Sequence, residues 1–212
     1  PGIINEHPQA FLVDRLYPGA MIPPHFHDID QFQVVVGGHC TMGKQAEKRA
    51  GSIYWYRAGE IRRILPDITI TNGICFSPAG DIAYFADTGR NIMFRVECDP
   101  ETGLPRGEPS VLVDDRGTPG GIDGSVCDAD GNIWNARWGC ARLDVYDPSG
   151  KRTRSIDLPP SRTSCPAFAG PNADRIAVTS ALQGMKADER ERLLSGWRRA
   201  VKAAIIAAPD RA

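Results

Sequence analysis

The sequence has almost no net charge: 25 Lys and Arg stand against 26 Asp and Glu, a formal charge of −1. Without a basic field there is nothing to attract a nucleic-acid backbone or an anionic membrane, so neither partner is expected. No apolar run approaches the roughly 20 residues that a membrane-spanning helix requires. The opening residues, Pro1-Gly2-Ile3-Ile4-Asn5-Glu6, contain neither the basic nor the apolar region of a signal peptide. They also lack an initiating Met, which predicts a processed chain or one cut from something longer. The six cysteines make no C-x-x-C pair and follow no regular spacing, which argues against a disulfide framework or a zinc knuckle. Cys75 and Cys127 fall in apolar, strand-like runs where buried thiols are ordinary, so a reducing cytoplasm is the expected location. No Gly-x-Ser-x-Gly elbow is present to supply a serine nucleophile.

What is present is a repeat. Asp123-Gly124-Ser125-Val126-Cys127 runs through an Asp/Gly turn into Ile133-Trp134, and Asn72-Gly73-Ile74-Cys75-Phe76 runs through Gly80 into Ile82. The two copies pair Asn72 with Asp123, Gly73 with Gly124, Gly80 with Gly131 and Ile82 with Ile133. A self-match of this length, made of short strands and turns, is the signature of a propeller blade. Equivalent positions on the first strands of successive blades point at one axis, so the Asn72 amide oxygen and the Asp123 carboxylate can converge there. Oxygen donors of this kind suit a hard divalent cation. Asn-Gly and Asp-Gly are also common turn dipeptides, and the residues alone leave both readings open.

Several ordered motifs resemble the senescence marker protein/gluconolactonase/luciferin-regenerating-enzyme family. They are Thr71 to Gly80, Tyr84-Phe85-Ala86-Asp87, Gly120-Gly121-Ile122-Asp123-Gly124, Asp128 to Trp134, Trp138-Gly139, Ala167-Phe168-Ala169-Gly170 and Val178-Thr179-Ser180-Ala181. The resemblance covers about residues 51–187. It implies a six-bladed propeller around a divalent metal (calcium, zinc, manganese or magnesium) and hydrolysis of sugar lactones or similar small esters. It matches Asn72 and Asp123 to two metal ligands, and Asp123 also to the acid/base. The family's third ligand, a Glu of the first blade, and its substrate-binding Arg and Asn have no counterpart before Gly51.

That earlier stretch carries another pattern. Gly19, His25, His27 and Gly38 fall on the spacing of the first cupin motif, with Gln31 where the cupin carboxylate ligand belongs. The resemblance implies half a barrel over about residues 11–44 and a metal held by His25, His27 and Gln31. Alternation does put both imidazoles on one face of an extended segment, but a structural histidine pair on a sheet satisfies the same pattern.

The expected fold is therefore all-β: a partial β-propeller with an N-terminal cupin-like strand segment and a C-terminal helix. Its divisions are 1–50, 51–187 and 188–212. Strands are expected at about 71–77, 82–86, 91–96 and 109–113, then 122–127, 132–136, 141–146 and 153–157, then 164–168 and 175–179. A hairpin at 53–56 and 61–65 precedes them. In the tail, Asp188 and Glu191 suggest a capping box, and Leu193, Trp197, Val201 and Ile205 recur along one helical face. That basic amphipathic helix suits a membrane surface, a partner's groove or the propeller's own exposed sheet. Three dissimilar pieces in 212 residues predict a recombined or truncated origin. The functional expectation is a metal-dependent lactone hydrolase. The alternative is a catalytically impaired propeller fragment that binds a divalent cation weakly or self-associates through open sheet edges.

Overall fold

The computed structural model describes residues 31–34, 39–42, 46–49, 51–57, 60–181, 186–197 and 206–207. In chain order the elements are β1 (Gln31–Val34), β2 (His39–Met42), β3 (Ala46–Arg49), β4 (Ile53–Arg57), β5 (Glu60–Leu65), β6 (Thr71–Phe76), β7 (Ile82–Asp87) and β8 (Ile92–Glu97). They continue with β9 (Ser110–Asp114), β10 (Gly121–Cys127), β11 (Ile133–Trp138), β12 (Arg142–Tyr146), β13 (Arg152–Asp157), β14 (Thr163–Ala169), β15 (Arg175–Ser180), α1 (Ala187–Trp197) and β16 (Ile206–Ala207).

Two complete four-stranded antiparallel meanders occupy the middle of the chain, ordered β6-β7-β8-β9 and β10-β11-β12-β13. The strands expected from the repeat agree with these to within two residues at each end. The agreement follows from turn chemistry. Gly80 and Gly131 donate back to Ser77 and Asp128, at 2.9 and 3.1 Å, and close turns of the same form. Gly131 sits at φ 84°, a backbone angle that side chains resist, so the hairpin is pinned at that residue.

The sheets stack face to face through three apolar layers. Ile53, Ile68, Phe85, Val96 and Cys98 fill the first, beside the β4–β5 hairpin. Cys75, Tyr84, Ala86, Met93, Val113, Ile122, Ile133 and Tyr146 fill the second, between the two meanders. Trp134, Ala136, Leu143, Val145, Leu158 and Ile176 fill the third, against the β14–β15 sheet, where the Trp134 and Phe168 rings meet edge to face at 6.0 Å. A strand covered on both faces buries every position, as Ile133 to Arg137 of β11 does. The outer strand β13, by contrast, is exposed along most of its length and carries Arg152 and Arg154, charges that discourage edge-to-edge pairing. β10 packs beside β6 on one side and beside β14 on the other, so the first strands of three successive sheets lie next to one another.

Two segments differ from the sequence reading. β1 lies in the stretch read as cupin-like, yet it pairs with β4 and joins the β4–β5 hairpin as a third strand, Gln31 opposite Tyr56 and Val34 opposite Ile53. β2 and β3 form a separate hairpin. The beginning of the cupin-like segment, with His25 and His27, lies outside the described residues. In the tail, α1 covers Ala187–Trp197, and Ile206–Ala207 pairs with β15 as an edge strand, so at those two residues a strand stands where a helical tail was expected; Val201 and Ile205 of the expected stripe lie outside the described residues. An apolar run this short fits either a helix or a strand, and the free edge of β15 offers backbone partners for the strand. Asp188 lies inside the first turn of α1 and not at its cap. Glu189 is the tether: its carboxylate accepts from Ser161 N at 2.9 Å and ties the helix to the β13–β14 connection. Among the described residues no helix is long and apolar enough to cross a membrane.

Candidate metal site on the innermost strands

The site begins with a backbone irregularity repeated three times. The register with the neighbouring strand shifts between Asn72 and Cys75 in β6, between Ile122 and Ser125 in β10, and between Thr163 and Cys165 in β14. Such bulges bend a strand and re-aim the side chains beside them. They also let the strands approach closely. A Cβ on Gly73, whose φ is 58°, would lie 2.8 Å from the Asp123 carbonyl oxygen and 3.0 Å from Ser125 Oγ. A Cβ on Gly124 would lie 2.5 Å from the Ser164 carbonyl oxygen. Glycine at both positions brings Asn72, Asp123 and Ser164 to corresponding places on adjacent strands.

Asn72 and Asp123 meet there, with Asn72 Nδ2 donating to Asp123 Oδ1 at 2.5 Å across 51 residues of sequence. Asn72 Oδ1 accepts from Gly73 N at 2.9 Å. Burial pushes the Asp123 carboxyl up to about 6, against the opposing hydrogen bonds from the Asn72 amide and the Gly124 N–H. Among the described residues no cationic side chain pairs with it. A half-buried carboxylate without a counter-charge is costly, and a bound cation removes that cost. The donors therefore fit a hard divalent ion. Asp123 supplies charge, and a turn of the Asn72 amide about its last torsion, the torsion that exchanges O and N, would present its oxygen beside the carboxylate. These are two ligands of a larger shell. Among the described residues no cluster of three His, Cys, Asp or Glu side chains stands ready to hold a metal.

The backbone around Asp123 is held by side chains that sequence reasoning missed. Thr88 Oγ1 donates to the Ile122 carbonyl at 2.6 Å, and Ile122 N donates to Asn91 Oδ1 at 3.0 Å. Asn135 Nδ2 donates to the carbonyls of Asp123 and Gly124, at 2.8 and 3.2 Å, and to Ser125 Oγ at 2.9 Å. The one available signal was an isolated Asn in the apolar run Ile133-Trp134-Asn135-Ala136. Cys165 also adjoins the site. Although the residue is exposed, loss of water around its sulfur, and then the Asp123 charge, push its thiol up.

The remaining candidates fall elsewhere. Gln31 begins β1, in a different sheet from Asn72 and Asp123. Asp128 resembles a cation-binding loop residue in Asp128-Ala129-Asp130-Gly131-Asn132. Its carboxylate is taken up by Asp130 N, Asn132 N, Asn132 Nδ2 and Trp134 Nε1, so it builds the turn. Arg137, wholly buried, faces Asp115 at 2.8 Å and Asp144 at 3.6 Å, and Asp144 also faces Arg142 and accepts from Ser155 Oγ at 2.6 Å. That network locks β11 to β12 and to the strand connection at Asp115.

Comparison with known proteins places this geometry in context. The sequence profile of the SMP-30/Gluconolactonase/LRE-like region matches residues 30–182, beginning ahead of Gly51 and taking in β1. A Rhizobium meliloti protein assigned as a sugar lactone lactonase is 52% identical over 145 residues, covering 68% of this chain and 49% of that protein. The L-arabinolactonase of Azospirillum brasilense is 35% identical, covering 69% and 48%. Among solved structures, regucalcin of Agrobacterium tumefaciens, a calcium-binding protein, aligns with a TM-score of 0.64 at 47% identity, covering 66% of this chain and 48% of that one. The chain thus spans about half the length of the relatives it matches.

Proposed function

Because the chain belongs to the SMP-30/gluconolactonase/LRE-like family, we propose that it is part of a β-propeller and works as a metal-dependent hydrolase of sugar lactones or similar small esters. The observation that carries this reading is Asp123: a half-buried carboxylate with no cationic partner among the described residues, bonded across two bulged inner strands to Asn72. Support also comes from relatives named as lactonases and as calcium-binding regucalcin.

Asn72 and Asp123 would hold the ion through oxygen. Oxygen donors favour calcium, magnesium or manganese. When bound, the ion supplies carbonyl polarisation and a more acidic water. Opening a lactone adds water to the carbonyl carbon, breaks the ring C–O bond and leaves a proton on the departing alkoxide. Asp123, half-buried at the point where the two bulged strands meet, is the group placed to carry that proton. Before the ion binds, the Asn72 amide holds that carboxylate in one orientation. The five described free cysteines are in the state that a reducing cytoplasm maintains.

The test is lactone hydrolysis followed by acid release, with calcium, zinc, manganese or magnesium added, for the wild type and Asp123→Ala. Turnover that requires a metal and is lost in the variant is expected. Turnover indifferent to both overturns the mechanism. Metal binding that depends on Asp123 but brings no turnover selects the alternative, a weak cation-binding module.

A further inference from the structure

We propose that Asn135 is a positioning residue for Asp123: it holds the β10 bulge open and so sets the direction of the carboxylate. This rests on the reading of Asp123 as the ligand above. β11 crosses the centre of its sheet, and Ile133, Ala136 and Leu143 around Asn135 are fully buried. Asn135 itself is 0% exposed. Its single amide group reaches three acceptors in consecutive residues of β10, namely the carbonyls of Asp123 and Gly124 and the hydroxyl of Ser125. The regular ladder between β10 and β11 is interrupted between Ile122 and Ser125, which frees those two carbonyls from it. In a buried strand they must find donors, and Asn135 supplies them.

The other end of the same amide shows that Asn135 does not serve packing alone. Its Oδ1 is buried and has no hydrogen-bond partner. An orphaned acceptor weakens a core, so what the amide contributes here is its Nδ2, which reaches the β10 carbonyls, and not its fit in the apolar layer. The corresponding residue of the preceding meander, 51 positions earlier, is Tyr84, a ring in the apolar layer. A polar side chain with an unsatisfied oxygen in the most buried strand is a local conflict of the kind expected where a site is being held. The bond from Asn72 to Asp123 is short, and a small rotation of the Asp123 peptide would break it. Residues behind a ligand commonly change metal affinity by tenfold to a hundredfold when replaced.

The test compares the full chain with Asn135→Leu, using three readouts. Calcium titration by calorimetry is expected to show affinity weakened by about tenfold or more. Lactone turnover, if the wild type has it, is expected to fall in kcat with KM little changed. The side-chain amide proton of Asn72, shifted in NMR spectra by its bond to Asp123, is expected to move toward the position of a free amide. This third readout needs neither metal nor activity. A wild type that binds no calcium and opens no lactone therefore sinks the functional reading while still testing Asn135. A folded Asn135→Leu with an unmoved Asn72 resonance overturns the proposal. Should Asn135→Leu fail to fold, Asn135→Ser carries the test; failure of both to fold assigns Asn135 to stability and overturns the proposal as well.

Discussion

Replacing Asp123 with Asn tests how the site is held in the absence of metal. The carboxyl is displaced from 3.8 to about 6, chiefly by burial. In the unfolded chain it returns to its ordinary value. Below about pH 4 the group is protonated in both states and contributes nothing. Between pH 4 and pH 6 the unfolded chain loses the proton while the folded protein retains it, so folding stability falls as pH rises. Above pH 6 the penalty is complete. A displacement of this size corresponds to about 3 kcal/mol, reduced to about 2 because the partly exposed carboxylate is screened by water. Asp123→Asn keeps the acceptor for Asn72 Nδ2 and removes the charge. In a chelator, urea unfolding at several pH values is therefore expected to show the variant no more stable than the wild type at pH 4. It should be about 2 kcal/mol more stable at pH 7. The same substitution is expected to abolish cation binding, so stability and function change in opposite senses. Unfolding curves that differ by the same amount at every pH, or a variant less stable at pH 7, would refute the reasoning.

Other substitutions probe the surroundings. Gly73→Ala forces a Cβ to within 2.8 Å of the Asp123 carbonyl at a φ of 58°, and should cost about 2 kcal/mol in chemical denaturation and part Asn72 from Asp123; wild-type stability would contradict the close approach. Asp144→Ala leaves Arg137 buried with Asp115 as its remaining partner and is expected to cost about 3–5 kcal/mol. A loss below about 1 kcal/mol, measured by urea unfolding, would show that the network adds little. Ile133→Ala, at a position 0% exposed between the two meanders, is expected to cost about 2–5 kcal/mol. Exposed sheet edges and the exposed Val111 and Ile70 side chains favour self-association, which light scattering on a sizing column should show as mass rising with concentration; a single monomer mass throughout would contradict it.

The legible part of the fold was the part that repeats. The 51-residue self-match aligns Asn72 with Asp123, and the structure joins those two side chains directly because equivalent strands lie side by side. Turn residues at Ser77 to Gly80, Asp128 to Gly131 and Asp147 to Gly150 fixed the strand limits for the same local reason. Asn135, Thr88 and Asn91 were not legible. Each acts on a backbone group 11 to 34 residues away, and a lone polar residue among apolar ones looks the same whether it faces water or a bulge. The pairing of β1 with β4 was hidden because a strand's partner is chosen by long-range register, while the His25 and His27 spacing drew attention to a different pattern. Ile206–Ala207 lay in the tail expected to be helical, and its pairing with the edge of β15 is a long-range contact that local periodicity does not carry.

The central claim, that Asn72 and Asp123 together hold a divalent cation, is tested most directly by calorimetric titration of the chain with calcium beside Asp123→Ala. Two protein oxygens leave the ion most of its water, so the account predicts weak saturable binding, no tighter than the roughly 10⁻⁴–10⁻³ M of calcium modules with fuller shells, lost entirely in the variant. Equal heats in both proteins, or wild-type binding tighter than about 10⁻⁵ M, would contradict it.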